Sequence, residues 1–119
     1  MSNDLERSLS MFTGTEVCHR WSILFMFVCT DGVKYLAEKA GAYWLLDAIA
    51  SYQFQKKFVR ESFQTWKFKK NEDGEGGILT AEDGNGRVLA TQEIEYTDFP
   101  LDTIKLYFID GVILLPSEY

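Results

Sequence analysis

The hydrophobic period changes once along this chain, near Gln64, and that change limits the folds open to it. Before Gln64, apart from one uniformly apolar run, the apolar residues recur at helical spacing. After it they alternate, as they do along half-buried strands. In "TWKFKK", Trp66 and Phe68 alternate with lysines. Asp83-Gly84-Asn85-Gly86 then supplies the positive-φ residues of a tight turn between Ile78–Ala81 and Val88–Tyr96. The device repeats: Ile104, Leu106 and Phe108 alternate, Asp110-Gly111 turns, and Pro116 ends the last strand because it cannot donate to a ladder.

The N-terminal half reads as helix, strand and long helix. Asn3-Asp4 can cap a short helix carrying Leu5, Leu9 and Phe12, with Gly14 ending it. Val17 to Cys29 follows; its "SILFMFVC" is too uniformly apolar for period to decide, but brevity and the Thr30-Asp31-Gly32 break favour a buried strand. Thr30 or Asp31 can cap the long helix, and Lys34 and Glu38 sit at i,i+4 spacing on its solvent side. The expected fold is α+β. It is a two-layer sandwich with an antiparallel sheet of four to six strands, and a long central helix and a short N-terminal helix on one face.

At 119 residues the chain is expected to form one domain, residues 1–119, and an apolar fraction of 46% argues against disorder. The net charge of −6 disfavours non-specific binding to nucleic acid, so no nucleic-acid partner is expected. The carboxylates are dispersed, with Asn71–Glu75 the densest cluster, which suits a turn better than a mimic of DNA. "MSNDLERSLS" lacks the basic start and apolar core expected of a signal peptide, and the apolar run Ile23–Cys29 falls well short of the roughly 18 residues of a membrane span. A cytoplasmic location, with reduced thiols and no membrane contact, is the expectation.

Candidate chemistry is sparse. Cys18, His19 and Cys29 lack the paired spacing of a zinc site, and adjacent strand residues point to opposite faces, so no metal or other cofactor is expected. His19 is the one histidine, and there is no nucleophile elbow or phosphate-binding loop. Asp47 is the anomaly. It lies inside the apolar run "YWLLDAIA", where a buried carboxylate must be paired, hydrogen-bonded or protonated. Arg20 is the expected partner, since its fork can hold a carboxylate bidentately. A structural role is the plainer reading; a cleft joining Asp47, His19 and Arg20 would instead suit a small hydrolase or nucleotide-processing enzyme.

"FTGT" at 12–15, "HRW" at 19–21, "TDGVKYLAEKAGAYWLLDAIAS" at 30–51, "TDFPL" at 97–101 and "DGVILLPSEY" at 110–119 resemble an uncharacterised family. Its members are small proteins of bacteria, plasmids and phages, classed as a domain of unknown function. The resemblance implies a stand-alone protein of a mobile element, with no activity or site residues to carry over. It favours a protein-binding role, such as an inhibitor of host machinery in an anti-defence or anti-CRISPR setting. The leading expectation is therefore a non-enzymatic protein-binding module, also a homodimer, with Tyr43, Trp44 and Trp66 as contact residues because aromatic anchors dominate interfaces. All three could equally belong to the core. The apolar residues from Ala42 to Ala50 would be covered either by the chain's own elements or by a second copy.

Overall fold

A computed structural model describes Leu5, Arg7 and Leu9, the backbone of Cys18 and His19, and residues 28–119. The described strands are β1 (Cys18–His19), β2 (Val28–Thr30), β3 (Phe63–Lys70), β4 (Gly77–Asp83), β5 (Val88–Ile94), β6 (Thr103–Ile109) and β7 (Val112–Leu114). Between β2 and β3 lie α1 (Asp31–Ala40), α2 (Tyr43–Tyr52) and the single turn α3 (Lys56–Val59). A 3₁₀ turn at Pro116–Glu118 follows β7.

The strands form one sheet in the order β1-β2-β7-β6-β3-β4-β5. The α+β class is as expected, but the sheet differs in two ways. It has seven described strands rather than four to six, and it is mixed: β2 and β7 run parallel, with Val28 opposite Val112 and Cys29 opposite Ile113. A parallel pair needs a long crossover, and here everything from α1 to β6 supplies it. The segment read as one strand from Val17 to Cys29 is two, since Cys18 pairs antiparallel with Thr30 and His19 with Cys29.

The expected long helix is also two helices. Gly41 adopts φ 62°, the left-handed conformation that glycine reaches without steric cost, and its N–H bonds back to Ala37 O. Ala42 N–H bonds to the same carbonyl at 2.9 Å, which closes the helix end before α2 begins. The Lys34–Glu38 pair forms at 3.9 Å on the exposed side of α1. Leu5, Arg7 and Leu9 are helical and Leu9 is buried. The expected signals at Asn3-Asp4, Phe12 and Gly14 lie outside the described residues.

The core gathers Leu36, Leu46, Ile49, Phe68, Leu106 and Ile113 with their neighbours into one cluster. In register, Phe68 lies opposite Ile104 and Leu79, Trp66 opposite Leu106 and Ala81, and Phe108 opposite Ile113. One face of the sheet therefore supplies the core, because paired residues point the same way. α1 packs near β1, β2 and β7. α2 reaches β3 through Trp44 on Phe68 and Tyr52 on Trp66.

Two buried polar networks tie helices to sheet. At the start of α1, Glu118 is 6% exposed; its Oε1 accepts from Thr30 Oγ1 at 2.5 Å and Leu115 N at 3.0 Å, and its Oε2 accepts from Gly32 N at 3.2 Å. A carboxylate there meets the open amides and positive end of the helix. Glycine at position 32 leaves room for this contact, since a Cβ would sit 2.6 Å from Leu115 Cδ1 and 2.8 Å from Glu118 Oε1 and both side chains would have to shift. Beyond α2, Gln53 and Gln64 exchange two amide hydrogen bonds of 2.8 Å. Gln64 also donates to the carbonyls of Phe58 and Glu61 and accepts from Trp66 Nε1.

Candidate interaction surface

Alternation along β3 buries Trp66 and Phe68 and sends Lys67 and Lys69 to the other side of the sheet. There the register sets Lys67 of β3 directly opposite Lys105 of β6, and opposite Thr80 of β4. The next row joins Lys69 to Ile78 on β4 and Thr103 on β6, and Ile78 in turn faces Glu93 on β5. Lys67, Lys69, Lys105, Thr103 and Glu93 are exposed, and Ile78 is 41% exposed. This part of the sheet faces solvent.

A cleft of about 480 Å³ follows this surface between Lys67, Lys69, Ile78, Thr80 and the start of the β3–β4 loop. A second, of about 380 Å³, adjoins it through Lys69, Lys70, Asn71 and Glu72. Lys67 Nζ approaches Glu82 Oε2 at 3.3 Å, and Lys105 Nζ sits 5.5 Å from the centre of the Tyr107 ring. Beyond Lys105 the rings of Phe63, Tyr107 and Tyr119 pack on one another at 5.1–5.7 Å. The surface thus joins positive charge, one apolar side chain and an aromatic border.

Among the described residues, those singled out from the sequence do not gather at one site. Trp66 is 2% exposed, stacked on Phe58 at 5.7 Å, with its N–H committed to Gln64. It is a core residue and not a contact residue, because no partner can reach it in the folded chain. Trp44 is half-buried, edge-on to Phe68 and Phe99. Tyr43 is exposed at the start of α2. Partial burial, then the charges of Glu38 and Cys29, raise its phenol above the ordinary value.

Asp47 is exposed, so the buried-carboxylate problem that drew attention to it does not arise. Tyr43, Asp47, Ser51 and Phe54 form the outward stripe of this segment, while Leu45, Leu46, Ile49 and Ala50 are buried. Only half of the run is outward, and that half is mixed in polarity. Arg20 and the side chains of Cys18 and His19 lie outside the described residues. Cys29 is buried. Among the described residues, no group of three or more His, Cys, Asp or Glu side chains could hold a metal ion.

Over residues 3–119 the sequence matches the model of DUF6876, a family of unknown function. The chain belongs to that family. No curated protein and no solved structure matches it. The family match spans both segments of the Glu118 network, "TDG" at 30–32 and "PSEY" at 116–119, and also the lysine-bearing strands.

Sequence reading missed the lysine surface because facing lysines are a property of register. Lys105 was legible as outward-facing from its place between Ile104 and Leu106, but not as the neighbour of Lys67. Gln64 carried a readable signal, since it shares parity with Trp66 and Phe68 and so had to be a buried amide in need of partners.

Proposed function

We propose that this protein is a non-enzymatic binding domain that presents the solvent-facing side of β4, β3 and β6 to a protein partner. One observation carries the reading: Lys67 and Lys105 stand directly opposite one another on an exposed sheet surface. Like charges placed opposite each other destabilise a sheet. Lysines commonly guard sheet edges against pairing, but β3 and β6 are interior strands of this sheet, so that explanation fails here. Ile78 beside them adds an exposed apolar anchor at the cleft.

The phage or mobile-element setting and an inhibitory role toward host machinery complete this proposal and rest on the family resemblance alone, while a cytoplasmic location is proposed from the sequence. Among the described residues, no helix is long and apolar enough to cross a membrane. A homodimer is proposed on the outward side of α2 and the turn after it, through Tyr43 and Phe54. The enzymatic alternative has lost its motive with the exposure of Asp47.

Site-specific photo-crosslinking in cells that carry the gene tests the assignment. A photoreactive residue at Ile78 or Thr80 is expected to give a discrete adduct, and one at Asp47 or Ser51 is not expected to give that adduct. Adducts confined to the α2 positions, or none from the sheet, would refute it.

A further inference from the structure

We infer that the partner segment seated on this surface is an acidic stretch of polypeptide, an inference that rests on the binding role proposed above. Lys67, Lys69 and Lys105 are exposed on two adjacent strands, with Lys67 and Lys105 paired and Lys69 one row away. Among the described residues Lys69 and Lys105 form no ion pair, and Lys67 has one, at the half-buried Glu82. The amine of Lys105 lies near the Tyr107 ring, which favours a cation there but does not neutralise it. The patch is thus positive within a chain of net charge −6. An incoming carboxylate would supply a counter-ion to Lys69 and Lys105, which have none among the described residues, giving the bound state an electrostatic gain that the free state lacks. Ile78 and the cleft beside it offer a seat for one apolar side chain flanked by acids.

A nucleic-acid strand is the other anionic occupant, and the structure disfavours it. Non-specific strand binding uses aromatic faces on which bases stack. Here Phe63, Tyr107 and Tyr119 pack against one another in tilted and edge-on arrangements. Carboxylates also border the patch at one end. The β3–β4 loop carries Glu72, Asp73 and Glu75, and it bonds to the β5–β6 connection, with its Glu95, Asp98 and Asp102, through Thr97 N to Glu75 O and Lys70 N to Asp102 O. Glu93 closes the outer row. A polyphosphate running past the lysines toward that end of the sheet would meet these acids. A short acidic segment need span only the lysine rows.

The test is fluorescence anisotropy with a labelled peptide of about five glutamates, short enough to stay on the lysine rows, and, separately, an oligothymidine of about five nucleotides, at low and near-physiological salt. The full chain is compared with Lys67→Thr/Lys69→Thr/Lys105→Thr, and with Lys56→Thr/Lys57→Thr/Arg60→Thr, which removes the same charge around α3. Threonine suits exposed strand positions, so the first triple variant should fold; Lys69→Thr alone serves if it does not. The expected result is salt-sensitive peptide binding, weakened about ten-fold or more by the strand variant and little changed by the α3 variant. Equal weakening by both variants would reduce the effect to net charge and overturn the inference. Tighter, lysine-dependent binding of oligothymidine would overturn it in favour of nucleic acid. No peptide binding, with adducts at Ile78 and Thr80 intact, would overturn the acidic partner while leaving the sheet-face reading in place.

Discussion

Replacing Glu118 by alanine should loosen the contact between the 3₁₀ turn and the start of α1. The carboxylate accepts three hydrogen bonds, from Thr30 Oγ1, Gly32 N and Leu115 N, at a site 6% exposed. Hydrogen bonds to a charged group contribute about 1.5–3 kcal/mol each, and orphaned buried donors cost about 1–3 kcal/mol. Interaction with the helix N-terminus adds about 0.3–1 kcal/mol. Relief of the carboxylate's own desolvation offsets part of this, as does rotation of the Thr30 hydroxyl, leaving a net loss of about 2–4 kcal/mol. With a urea m-value of about 1.5 kcal/mol/M, the unfolding midpoint should fall by about 2 M. Glu118→Gln keeps one acceptor oxygen and sets a donor against a donor, so about 1–2 kcal/mol is expected. Thr30→Val should cost a similar amount, and its effect should be smaller in the Glu118→Ala background, because the two residues share a bond. A Glu118→Ala midpoint unchanged within error, or full additivity with Thr30→Val, would refute this assignment.

Gln64→Leu should lower stability by about 3 kcal/mol, because it strands the Trp66 N–H and half of the Gln53 amide in the core. Thermal unfolding followed by near-ultraviolet circular dichroism checks this, and no change would mean that the amides find water. The raised pKa of Tyr43 means that the folded chain holds that proton more tightly than the unfolded chain. Its contribution to stability should be full below pH 10 and be lost as pH rises through the folded value, a dependence that Tyr43→Phe should flatten. The proposed homodimer should appear as a concentration-dependent species in sedimentation, weakened by Phe54→Lys. A single species of 13.7 kDa at every concentration would contradict it.

The sequence revealed its local chemistry well and its long-range pairing poorly. Both glycine turns lie where their chemistry put them: Gly86 has φ 83°, and Asp110 and Gly111 have φ 48° and 85° between β6 and β7. Asp83 Oδ1 accepts from Asn85 N and Arg87 N, the local bonding that draws aspartate to turns. Thr30 caps α1 through a 3.4 Å bond from Val33 N. Gly41 was the informative residue within the expected long helix, and reading through it merged two helices into one. The parallel pairing of β2 with β7 joins segments more than eighty residues apart, and no local period encodes that. Asp47 misled because a run of apolar neighbours says how hydrophobic a helix is and not which way each residue points. The Glu118 contact depends on that pairing, and the facing lysines depend on the pairing of β3 with β6.

The most direct test of the sheet-face account is an amide map by ¹H–¹⁵N NMR of the chain with and without the pentaglutamate peptide. The expected shifts cluster at Lys67–Lys70, Ile78–Glu82 and Thr103–Tyr107 and vanish in the Lys67→Thr/Lys69→Thr/Lys105→Thr variant. Shifts centred instead on Tyr43–Phe54, or scattered over every basic segment alike, would contradict it.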